Sequence, residues 1–132
     1  TAALKTLEVM QREKSWEKIT KTGTEIKNHW QHLADKYELN ISQWGIPALT
    51  GFTIKSEHAL AYKTLITQEM LSKGYLAGNC VYVCTEHSSE ILEGYYEALD
   101  KVFSLIKDCE DGQDVNKLLN GKICHSGFKR LT

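Results

Sequence analysis

ALTGFTIKSEHALAYKTLITQEMLSKGYLAGNCVYVCTEHSSE, residues 48–90, decides the fold. Thr50, Phe52 and Ile54 alternate with Leu49, Gly51 and Thr53, the period-two pattern of a strand that buries one face. Ser56 reads as a helix N-cap, and Glu57 places a negative charge at the positive end of the helix that follows. Ala59, Tyr62, Ile66 and Met70 recur at steps of three and four, so this helix buries one stripe and runs to Lys73. Gly74 then supplies the left-handed residue that ends it. A second strand is expected from about Cys80 to Cys84, with Cys80, Tyr82 and Cys84 facing one way and Val81 and Val83 the other. Ser88 opens a last long helix with the stripe Leu92, Tyr95, Leu99, Val102 and Ile106. Ile91 stands where an acid would close a capping box, so Glu90 must supply the first-turn charge.

Upstream, Trp16, Ile19, Gly23, Ile26, Trp30, Leu33 and Tyr37 draw one stripe along a long helix. The spacing also satisfies a heptad, so a coiled coil is an alternative, though Trp and Tyr are bulky at a seam and Gly23 lies inside it. Glycine costs about 1 kcal/mol relative to alanine in a helix interior; its presence implies that another backbone passes close to Gly23. A shorter helix, Ala2 to Gln11, is expected to face Leu4, Leu7 and Met10 inward, with a break between Arg12 and Ser15. Beyond Asn40 the pattern shifts to period two, and Pro47, the single proline, belongs at an edge or between strands. The order predicts an α+β domain: a small, mainly antiparallel sheet of three or four strands, covered on one face by long helices. Residues 1–110 form this domain. Residues 111–132 read as a C-terminal extension packed on it, with a short helix around Val115 to Asn120 and with Phe128 and Leu131 as anchors.

The ordered set resembles the carboxyl-terminal small domain of class III, fold-type I aminotransferases, most closely the glutamate-1-semialdehyde aminomutase-like branch. Met70, Leu71, Lys73, Gly74, Tyr75 and Leu76 match that family's "mLxrGvyl" turn, and His87 and Ser88 stand where it has His-Thr. Ala2, Ala3, Leu4, Thr6, Leu7, Glu8 and Val9 resemble its "AAlaTLeV" helix. The resemblance covers about Ala2 to Ile106. It implies a parent enzyme that uses pyridoxal phosphate, held as a Schiff base by a lysine in a large domain, and that works as a homodimer. No strand-plus-glycine phosphate cradle and no lysine in a matching context occur here, so the chain reads as a fragment that does not catalyse or hold the cofactor alone. Its partner is then the large domain. Many class III enzymes carry a carboxylate-binding arginine after the helix; Leu76 to Tyr82 has none, which favours the aminomutase-like branch. Gly78 and Asn79 are the candidate substrate-cavity residues, because the turn they occupy faces the active-site mouth in the enzymes that the chain resembles.

Composition leaves little room for other classes. Sixteen basic and 17 acidic residues give a net charge of −1, which offers no general attraction to nucleic acid or anionic lipid. No apolar run reaches the roughly 18 residues of a membrane span, and the first residues lack a signal-peptide pattern. The four cysteines are scattered through an apolar-rich sequence, so reduced thiols in the cytoplasm are expected.

Two rivals come from other classes. A non-catalytic helical interaction module would use the long stripes as a docking face. A zinc site would draw on Cys80, Cys84, His87, Cys124 and His125. Against zinc, Cys80 and Cys84 on one strand would lie about 13 Å apart, and no tight Cys-x-x-Cys knuckle exists. A Cys124–His125 nucleophilic pair fails because adjacent residues on extended chain point apart. His29 and His32 are half a metal site at most and fit a solvated helix flank, and His87 fits a hydrogen bond to its own turn. Tyr95, Tyr96 and Phe103 are explained by helical core packing.

Overall fold

The computed structural model describes residues 1–127. Helix α1 (Ala2–Glu13) meets α2 (Ser15–Lys36) at Lys14, a left-handed residue with φ 49° that breaks the helix where the sequence suggests. Strands β1 (Ile41–Ile46) and β2 (Leu49–Ile54) form an antiparallel hairpin turned at Pro47 and Ala48. Helix α3 (Ala59–Ser72), strand β3 (Cys80–Tyr82) and helix α4 (Ser89–Glu110) complete the domain, followed by a single 3₁₀ turn at Val115–Lys117. The sheet order is β1-β2-β3, antiparallel throughout. The fold is α+β, with three strands.

Sheet register explains which residues are inside. Ile41↔Ile54, Gln43↔Phe52 and Thr50↔Val81 share the face toward α2, α3 and α4, whereas Trp44↔Gly51, Ile46↔Leu49 and Leu49↔Tyr82 share the other. Phe52 sits at the centre of the core, its ring 4.9 Å from that of Trp30 on α2 and 5.6 Å from that of Phe103 on α4. Aromatic pairs at such separations add about 0.5–1.5 kcal/mol beyond area burial. Trp30 donates its indole N–H to Tyr95 Oη at 3.0 Å, so both buried polar atoms are paired. Thr50, the buried polar residue of β2, donates its hydroxyl to the Trp44 carbonyl at 3.0 Å. Gly23 lies against the Pro47 carbonyl so closely that a Cβ would strike it, which is the close backbone approach that the sequence implies.

Five expectations need correction. Leu4, Leu7 and Met10 are exposed, since α1 buries no residue. Trp16 is likewise exposed, because the buried stripe of α2 starts at Gly23, where the sheet begins beneath it. Ser56 does not cap α3 directly: it accepts the His58 N–H at 3.2 Å in a turn, and the helix starts at Ala59 without a side-chain cap. β3 ends at Tyr82 rather than Cys84, and the helix expected to Asn120 is one 3₁₀ turn. The tail nevertheless runs over α3, where Cys124 N–H reaches Thr64 Oγ1 at 2.9 Å and Gln68 holds both Leu118 O and Asn120 N–H. Phe128 and Leu131 lie outside the described residues.

Candidate functional site

The connection from α3 to β3 is fixed at both ends. Gly74, at φ 85°, lets its N–H reach Leu71 O and the Tyr75 N–H reach Met70 O, both at 3.0 Å, a Schellman closure that turns the chain back over the helix. Tyr75 then packs edge-on against Tyr95 and places its hydroxyl where a side chain at residue 94 would be, so any larger residue at Gly94 would have to displace it. At the far end Asn79 makes two bonds to Phe52: its carbonyl accepts the Phe52 N–H at 2.9 Å and its side-chain amide donates to the Phe52 carbonyl at 2.8 Å. Asn79 therefore extends the β2–β3 ladder by one pair. Gly78 has no such constraint, since a Cβ there would meet only Thr67 Oγ1 at an ordinary 3.5 Å.

Two cavities flank this turn. One, about 270 Å³, brings Asn79, Thr53, Lys63, His125 and Ser126 together with an apolar floor that includes Phe52 and Ile66, so it is mixed in character and borders the tail. The other, about 310 Å³, lies along β3 and is lined by Leu76, Tyr82, Ile91, Leu92, Tyr95 and His87 among others. It is mostly apolar. The turn places Asn79 at the first cavity, while Gly78 lines neither. Lys63, His125 and Ser126 were not singled out as cavity residues from sequence; the specific composition of the tail was the one available signal.

His87 accepts the Cys84 N–H through Nδ1 at 3.4 Å, and Ser88 Oγ accepts the Ile91 N–H at 3.3 Å, so the His-Ser pair builds the turn into α4. His29 is stacked on Tyr96, with ring centroids 3.7 Å apart, rather than standing free on the flank. Burial first, and then neighbouring His32, holds its imidazole below its ordinary value. Desolvation pushes the Tyr96 phenol up to about 12. Cys80 lies on β3, while Cys124 is over α3 with its thiol directed to Leu60 O at 3.5 Å. Among the described residues no three of His, Cys, Asp and Glu gather as a metal ligand set.

Among the described residues no buried lysine faces either cavity, so neither cavity fits pyridoxal phosphate as a resident group. The cavity along β3 contains no lysine, and Lys63 at the other is exposed. The cavity along β3 borders the start of α4 through His87, Ile91 and Leu92, beside the Ser88 N-cap.

No protein-family model matches the chain, and no curated protein does. Among solved structures it is similar to the pyridoxal-phosphate internal aldimine form of FumI from Sphingopyxis sp. MTA144, with a TM-score of 0.71 at 15% identity over 89% of this chain. The fold is that of a segment of FumI. The chain spans 29% of the length of that structure. At this identity the likeness establishes the fold of the segment and leaves chemistry to the residues.

Proposed function

We propose that this chain is the carboxyl-terminal small domain of a pyridoxal-phosphate-dependent aminotransferase or aminomutase, glutamate-1-semialdehyde aminomutase-like, and that it closes one side of the active site. The observation that carries this is the partial likeness to FumI, whose structure is that of a pyridoxal-phosphate internal aldimine, over most of the chain, which includes the stretch where the sequence resembles the aminotransferase small domain. In this reading the Schiff-base lysine and phosphate cradle belong to a large domain elsewhere in the polypeptide, the parent is a cytoplasmic homodimer, and Gly78 and Asn79 border the substrate cavity. The exposed apolar stripe of α1 and the outer sheet face, with Trp44, Ile46, Leu49 and Tyr82, are then surfaces that meet the large domain.

The helical interaction module keeps one observation in its favour, because α1 presents Leu4 and Leu7 without burying either. The codons upstream of Thr1 separate the two readings. A continuous frame encoding a strand followed by lysine in the family's context supports the enzyme; an upstream stop with a start codon at this point defeats it.

A further inference from the structure

We infer that β3 is not the last strand of its sheet: its free edge receives a fourth, extended strand from polypeptide outside these 132 residues. The inference rests on the fragment reading above and names a contact that reading does not. The β2–β3 ladder runs through Phe52–Asn79, Thr50↔Val81 and Ala48–Val83, with Phe52 N–H on Asn79 O at 2.9 Å and Val83 N–H on Ala48 O at 3.0 Å. In an antiparallel pair the bonding groups alternate, so Cys80 and Tyr82 point their N–H and C=O away from β2. Among the described residues nothing pairs with them.

The two edges of the sheet are treated differently. On β1 the outward Gly45 carbonyl accepts Lys27 Nζ at 3.5 Å, Gly45 itself is left-handed at φ 80°, and Pro47 follows, all devices that stop further pairing. β3, reading Cys-Val-Tyr, has no charge, proline or left-handed residue. Beside it runs the 310 Å³ cavity, whose rim residues Leu76, Tyr82 and Ile91 are 96%, 75% and 49% exposed. Unpaired backbone fixes the occupant as extended chain, and the apolar rim fixes its side chains as apolar. Length points to the source: the structure that this chain resembles is a polypeptide of which 29% is matched, leaving most of such a chain to supply a strand.

The test compares the product of the whole reading frame with the 132-residue chain by amide-resolved hydrogen exchange. Expected is exchange at Cys80 and Tyr82 slowed by roughly a hundredfold or more in the whole product and unprotected in the short chain. Tyr82→Pro, which removes an outward N–H without touching the β2 ladder, should lower the melting temperature of the whole product further than Tyr82→Ala, which loses the same side chain and keeps the N–H, while the two variants melt alike in the short chain. Equal, fast exchange in both forms overturns the inference, as does equal protection in both. Concentration-dependent protection in the short chain alone would assign the edge to a second copy and also overturn it. A reading frame that adds no residues removes the occupant and overturns it as well. The fragment reading is scored separately by pyridoxal phosphate absorbance of the whole product: cofactor bound with an open edge sinks only this inference, and a protected edge without cofactor sinks only the assignment to an aminotransferase.

Discussion

Gly23 shows how one residue can carry tertiary information. In an isolated helix, Gly23→Ala should stabilise by about 1 kcal/mol; here the new methyl meets the Pro47 carbonyl, so the variant should instead be less stable by roughly 1–3 kcal/mol in urea denaturation. Asn79, proposed at the substrate cavity, also holds the Phe52 carbonyl, so Asn79→Ala should cost about 1 kcal/mol before any effect on a ligand. Glu110 accepts the Tyr62 hydroxyl at 2.6 Å and the Ser56 hydroxyl at 2.8 Å, and these bonds hold its carboxyl below the usual range. A depressed carboxylate contributes stability that is complete above its unfolded value and is lost as pH falls through the folded one. Thermal melts from pH 7 to pH 3 should therefore decline below about pH 4.3, and Glu110→Gln should flatten part of that decline.

At the scale of elements, caps were legible where side chain and backbone act locally and were misread where they do not. Ser88 was assigned to the start of α4 and accepts the Ile91 N–H there, so Ser88→Ala should cost about 1 kcal/mol by chemical denaturation. Ser56 carries the same local signal three residues before α3, yet its hydroxyl donates to Glu110 and accepts from His58, a turn set by a contact 54 residues away. The stripes of α3 and α4 were read correctly because both helices are covered along their length. On α2 the same periodicity begins seven residues too early, at Trp16, since amphipathic spacing says which face turns inward and not how far the core extends.

For the whole molecule, the exposed stripe on α1 and the apolar outer face of the sheet lie apart from the buried core. Leu4→Lys with Leu7→Lys should leave the unfolding free energy within about 0.5 kcal/mol, and should reduce dye binding to apolar surface and any self-association seen by light scattering. Titration of the 132-residue chain with pyridoxal phosphate should give no stoichiometric, borohydride-trapped imine on a single lysine. Slow labelling of several exposed lysines is compatible with the reading; one dominant adduct would refute it.

The sequence by itself determined the order of elements, the Gly74 helix end and the α+β class, and set Pro47 at an edge or between strands, because period, cap and turn chemistry act over a few residues. It also marked Gly23 as a point of close approach, since an unfavourable residue in a helix needs a tertiary reason. Only the tertiary structure decided that α1 buries no residue, and that Asn79 lines one cavity with Lys63, His125 and Ser126. Those facts depend on which surfaces meet between segments distant in the chain, and no local pattern encodes a meeting of that kind.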